Sequence, residues 1–166
     1  MTEAEMERLL AALKRNRHGH RDWLIGLIIY RHGLRVSEAC DLRWDDIDLP
    51  KRTIIIRRLK SSTGSVHYLE RDEVNGLKLL HRQQQADGIK AAYVFINERG
   101  QPFGRMGIGR MIERAGEAAR LPFPAHVHIC CGIRPDTHWR PGEWIRGGFS
   151  TSWGMPRLPT RCATRR

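Results

Sequence analysis

The sequence predicts an α+β chain, mainly α-helical, with one small three-stranded antiparallel sheet. Three observations carry that expectation. Apolar residues recur at helical spacing in 2–14 and 73–85, the run 23–30 is apolar on nearly every side and stops at a glycine, and a β-branched stretch at 53–56 precedes a Ser/Gly-rich turn and another short strand.

The first helix runs from Thr2 to about Lys14, with Met6, Leu9, Leu10 and Leu13 on one face and a Thr2-x-x-Glu5 capping box at its start. After the polar break Asn16–His20, residues 23–30 form a buried helix that ends at Gly33. A third helix starts near Val36 and carries Glu38 through about Arg43. Strands are expected over Trp44–Leu49, Thr53–Arg58 and Ser65–Leu69, joined by a Pro50–Arg52 turn and a Lys60–Gly64 hairpin. Glu73 to about Gln85 is helical, with Val74, Leu77 and Leu80 facing inward; the Gln83–Gln85 tract is too short to carry meaning. Val94–Ile96 is a short apolar stretch before the Asn97–Gly100 turn, and a last helix spans about Phe103 to Arg120. Beyond His126 the texture breaks: Gly, Pro, Trp, Arg and Ser crowd together without helical or strand period, as in a disordered basic tail.

At 166 residues the chain is about one domain long. Its net charge of +11 points to a polyanionic partner, and with no apolar run long enough for a bilayer, nucleic acid is favoured over a membrane. The acidic N-terminus is not how a secretory signal begins, so a cytoplasmic protein is expected. Four cysteines, Cys40, Cys130, Cys131 and Cys162, lack paired spacing and read as reduced thiols. The tract His126-Val-His128-Ile-Cys130-Cys131 offers enough soft ligands for zinc. Its spacing matches no usual C-x-x-C pattern, and adjacent cysteines hold one ion awkwardly, so a small zinc protein is the weaker alternative.

The most informative segment is 32–48. A helix ends at Gly33, Arg35 sits in the break, and the next helix begins with Ser37 and Glu38 in its first turn, which puts a guanidinium beside the positive end of a helix. Such a site suits a phosphate. The string Gly33-x-Arg35-x-Ser37-Glu38-x-x-x-Leu42-x-Trp44-x-Asp46-Ile47-Asp48 resembles the first arginine box of the tyrosine recombinase, or phage integrase-type, catalytic domain. Lys60 matches the family's hairpin lysine. The stretch Arg58-Leu59-Lys60 followed by His67-Tyr68-Leu69 is similar to that of the small recombinases that invert fimbrial promoters, with Tyr68 in place of a proline.

The resemblance implies a tyrosine recombinase catalytic-domain fold over residues 1–126 and a metal- and cofactor-free reaction on double-stranded DNA bearing inverted-repeat sites, by a homo-oligomer assembled on that DNA. Arg35 would clamp the scissile phosphate, Lys60 would protonate the departing 5′ oxygen, and Glu38 would support the site without reacting. Arg43, Arg57 and Arg58 are further candidate DNA contacts.

The family also uses, C-terminal to these motifs, a second arginine in H-x-x-R, a following histidine, an L-G-H motif and a nucleophilic tyrosine; none of these motifs stands beyond Tyr93, the last tyrosine of these 166 residues. Starting each codon one base earlier from about Val127 permits H-L-L-R-H, then L-G-H, then V-R-Y-T across Ala163 and Thr164, which are the missing motifs in order. The expectation is therefore a frameshifted gene: a C-terminally incomplete domain over 1–126, an out-of-frame and poorly ordered tail over 127–166, and a truncated, inactive recombinase. The leading alternative is a non-catalytic basic module that grips duplex DNA.

Overall fold

The computed structural model describes residues 1–57, 64–89 and 91–125. Arg58, Lys60, the candidate zinc ligands His126, His128, Cys130 and Cys131, and the tail 127–166 lie outside the described residues.

Helix α1 spans Glu3–Lys14 and opens as its sequence requires: the Thr2 hydroxyl accepts the Glu5 N–H at 3.3 Å while the Glu5 carboxylate accepts the Thr2 N–H at 2.6 Å. Helix α2, Gly19–His32, begins four residues before the expected start at Trp23. Two facts account for this. A side chain at position 19 would collide with the Lys14 carbonyl, so glycine permits the tight α1–α2 turn. The charged first turns of α2 also find partners: Arg21 pairs with Asp22 of the same helix at 2.8 Å, donates to the Ile96 carbonyl at 3.0 Å and stacks 4.5 Å from the Phe103 ring centre.

Helix α2 ends where expected, because Gly33 takes the left-handed conformation (φ 60°, ψ 38°) and its N–H bonds the Ile29 carbonyl. Helix α3 is shorter than expected, Val36–Cys40. It stops because 42–44 pair with 92–94 instead: Val94 N–H donates to Leu42 O at 2.9 Å and Trp44 N–H to Ala92 O at 3.0 Å. The expected strand Trp44–Leu49 is a 3₁₀ turn, Trp44–Asp46, followed by a two-residue strand β1, Ile47–Asp48. The turn forms because the Asp46 carboxylate accepts the Arg43 N–H at 3.3 Å and folds the chain back on itself.

Strands β2, Thr53–Ile56, and β3, Ser65–Tyr68, complete an antiparallel sheet ordered β1-β2-β3, with Ile47 opposite Ile54 and Ile54 opposite His67. Alternation divides its faces: Ile54, Ile56 and His67 are buried, while Ile55, Val66 and Tyr68 face outward. Arg57, placed in the strand by the sequence, lies just beyond β2.

Helix α4, Arg71–Ala86, turns Val74, Leu77 and Leu80 inward, and α5, Arg105–Ala118, buries Ile108, Met111, Ile112 and Ala115. The core forms around α2, whose Leu24, Ile25, Ile28 and Ile29 are fully buried; α1 packs on α2 and α5, and α4 on α2. The glutamine tract has a role after all. Gln84 is buried, accepts the Trp44 indole N–H at 3.0 Å and donates to the Val94 carbonyl at 2.8 Å. Among the described residues no helix is long and apolar enough to cross a membrane.

Candidate functional site

Arg35 caps the start of α3 with extended backbone (φ −73°, ψ 153°). Its own N–H donates to Glu38 Oε2 at 2.8 Å, and its guanidinium Nη1 lies 3.6 Å from Glu38 Oε1. The two side chains differ in burial. Glu38 is 1 % exposed and Arg35 55 %, so one carboxylate holds the backbone from inside and steers a guanidinium whose outer edge faces solvent.

Arg43 and Arg57 meet at Asp46. The buried Asp46 Oδ1 accepts from Arg57 Nε at 2.9 Å and Nη2 at 2.7 Å, while its other oxygen takes the Arg43 N–H. The Arg43 guanidinium lies 5.1 Å from the Tyr93 ring centre and donates to the Tyr93 hydroxyl at 3.4 Å. Glu38, Asp41, Arg43, Asp46, Arg57 and Tyr93 line one hollow of about 280 Å³. The fold therefore brings Glu38, Arg43 and Arg57 around one depression, with Arg35 tied to its wall through Glu38. A larger depression of about 490 Å³ presents Asp45, Asp46 and Asp48, a lining that repels a phosphate backbone. Lys60 and Arg58 lie outside the described residues, and so do His126, His128, Cys130 and Cys131.

The sequence reading missed Asp46 and Tyr93, which orient Arg57 and Arg43. Asp46 stands in the motif string, but nothing local marks its pairing with Arg57, which lies 11 residues away beyond β2. It also passed over α5, whose outer face carries exposed Arg105, Arg110 and Arg114 beside Met106, itself 73 % exposed. Those arginines were visible as residues opposite the apolar stripe Ile108, Met111, Ile112 and Ala115. Arg105 acts across the α3–α5 contact. Burial pushes the Cys40 thiol up to about 11, the Asp41 charge adds to that rise, and the Arg105 charge opposes it. Cys40 is thus an inert core residue. Among the described residues no group of His, Cys, Asp and Glu could hold a metal ion.

Residues 1–130 match the model of the phage integrase family. The chain is 34% identical over 137 residues to the type 1 fimbriae regulatory protein FimB of Escherichia coli strain K12, covering 80% of this chain and 68% of that protein. It is also 34% identical over 139 residues to FimE of the same strain, covering 80% and 69%. Among solved structures it resembles the XerA recombinase, with TM-score 0.69, 24% identity and coverage of 79% of this chain and 47% of that one. It likewise resembles the XerH site-specific recombinase in a pre-cleavage complex with its difH substrate, with TM-score 0.67, 22% identity and coverage of 79% and 40%. The chain spans less than half the length of these two solved recombinases.

Proposed function

The chain belongs to the phage integrase family of tyrosine recombinases, and we propose that these 166 residues grip a DNA phosphate through Arg35 without completing strand transfer. The observation that carries this reading is the arrangement of Arg35: an exposed guanidinium at a helix start, aimed by a buried Glu38 carboxylate that also holds its backbone. A planar, preorganised fork of donors fits the non-bridging oxygens of a phosphodiester and the charge that builds on them in a pentavalent transition state.

In the full reaction a tyrosine oxygen attacks phosphorus, forms a phosphotyrosyl ester and releases a 5′ oxygen that must receive a proton. Lys60, in the segment joining β2 to β3, is the proposed acid. Arg43 and the outer face of α5 are proposed to follow the backbone on either side. Arg57 and Arg58 are secondary contacts, and Arg57 divides its charge with Asp46. Residues 1–126 form the recombinase unit and 127–166 the out-of-frame tail. Within these 166 residues no tyrosine follows Tyr93, and the proposed lack of strand transfer rests on that. The substrate is duplex DNA with inverted-repeat sites, bound by more than one copy, in the cytoplasm.

The test is a duplex with a nick beside the cleavage position, which traps any covalent intermediate. Salt-dependent binding with no protein–DNA adduct is expected; an adduct overturns the inactive reading, and binding indifferent to salt overturns the phosphate grip.

A further inference from the structure

The core contains three ionisable side chains that neither packing nor the recombinase reading accounts for. His32 is the last residue of α2, His67 lies on the inner face of β3, and Glu73 sits in the first turn of α4; all three are buried. The two imidazoles meet edge to face, with ring centres 5.3 Å apart and planes at 72°. His32 Nε2 stands 3.1 Å from Glu73 Oε1. The other Glu73 oxygen accepts the Glu70 N–H at 2.7 Å and lies 3.6 Å from the Arg31 guanidinium, which is itself clamped by Asp72. On the sheet side, His67 stands opposite Ile54 and its Nε2 is 3.0 Å from the Ser65 hydroxyl.

Burying such groups is costly unless they are paired, yet neither His32 nitrogen nor Glu73 Oε1 makes a hydrogen bond among the described residues; His32 and Glu73 are held in contact at 3.1 Å without one. A leucine or phenylalanine between Ile54, Ile56 and α2 would fill the same space more cheaply. What the imidazoles add is direction, since an edge-to-face pair packed beside a carboxylate has fewer favourable relative orientations than aliphatic side chains have. His32 is the residue just before the left-handed Gly33, and Arg35 lies two residues beyond that glycine, after the fully buried Leu34.

We propose that His67 is a positioning residue for Arg35: through His32 and Glu73 it locks the sheet to the end of α2, and so sets where the Arg35 guanidinium points. This rests on the phosphate-gripping role assigned to Arg35 above. A shift of β3 is passed to His32 and appears at the turn 33–35, where glycine allows the backbone to swing.

The experiment uses the full 166-residue chain with H67L, H67Q, R35A and the R35A/H67L pair; if H67L does not fold, H67V replaces it. Without DNA, amide hydrogen exchange at Leu34 and Arg35 should rise about tenfold in H67L, with α1 and α4 core amides unchanged, and H67Q should stay near wild type. Unchanged exchange at 34–35, or an equal rise through the whole core, overturns the proposal. With a duplex probe, the slope of log affinity against log salt should fall by about one in R35A, by the same amount in H67L, no further in the pair, and not in H67Q. A wild-type slope in folded H67L overturns it as well. Should the wild-type chain show no salt-dependent binding, the phosphate reading fails on its own, and the exchange measurement alone decides the role of His67.

Discussion

Glu38 holds Arg35 twice, through the backbone N–H at 2.8 Å and beside the guanidinium at 3.6 Å, while remaining almost wholly buried itself. Separating those two tasks is straightforward. Glu38→Gln keeps an oxygen for the backbone and removes the charge; Glu38→Ala removes both. Urea unfolding should show Glu38→Ala costing about 1–3 kcal/mol and Glu38→Gln less, with both weakening duplex binding.

Asp46 is buried and its partner Arg57 is 69 % exposed, so the ion pair is asymmetric. Removing the exposed partner leaves a carboxylate in the wall of the hollow. Arg57→Ala should therefore cost more than the roughly 1 kcal/mol of an ordinary surface pair, and Asp46→Asn in the same chain should recover part of the loss. A double-mutant cycle by denaturant unfolding measures that coupling.

Burial pushes the Asp72 carboxyl up, but the bidentate hydrogen bonds from Arg31, at 2.6 and 2.8 Å, and its charge outweigh this and hold it below the usual carboxylate range. A depressed folded-state value stabilises above the unfolded value and loses that contribution as pH falls through the folded one. Below about pH 4, the wild-type protein should lose stability more steeply than Asp72→Asn, as followed by urea midpoints between pH 2.5 and 6.

A methyl group at Gly33 would meet nothing within 4 Å, yet its φ of 60° suits glycine. The penalty there is conformational only. Gly33→Ala should destabilise by about 1 kcal/mol and Gly33→Asn by less, since asparagine tolerates this region, as read from thermal or urea unfolding.

Cys40 gives a chemical test of the core around α3. With its thiol pushed up to about 11, alkylation at pH 8 should be slow in the folded chain and fast in urea, as located by peptide mass mapping.

How much was legible in the chain depends on how far each signal reaches. The capping box joins Thr2 and Glu5, three positions apart, the Gly33 stop is a property of one residue, and the strands expected at 53–58 and 65–69 announce themselves by side-chain type; the first two stand where the sequence puts them, and the strands begin there but end at 56 and 68. The stretch 44–49 was misread as a strand from a change of period at Trp44, although Asp45, Asp46 and Asp48 are poor strand formers. What makes a turn there is the Asp46 carboxylate meeting the Arg43 backbone and the Arg57 side chain. Arg21 fell outside the helix expected from Trp23, and Gln84 looked like part of a featureless tract; each is placed by partners 10 to 75 residues away.

The sequence alone determined the class of elements, their order, the sheet pairing and the arginine at a helix start, because propensity, periodicity and caps act within a few neighbouring residues. Tertiary structure alone decided which charged and polar side chains are buried, and against what: Glu38 under Arg35, Asp46 between Arg43 and Arg57, His67 against His32, and His32 against Glu73. The reason is physical. A buried polar group is stable only when distant parts of the chain converge to pair with it, and that convergence exists only once the whole core has closed.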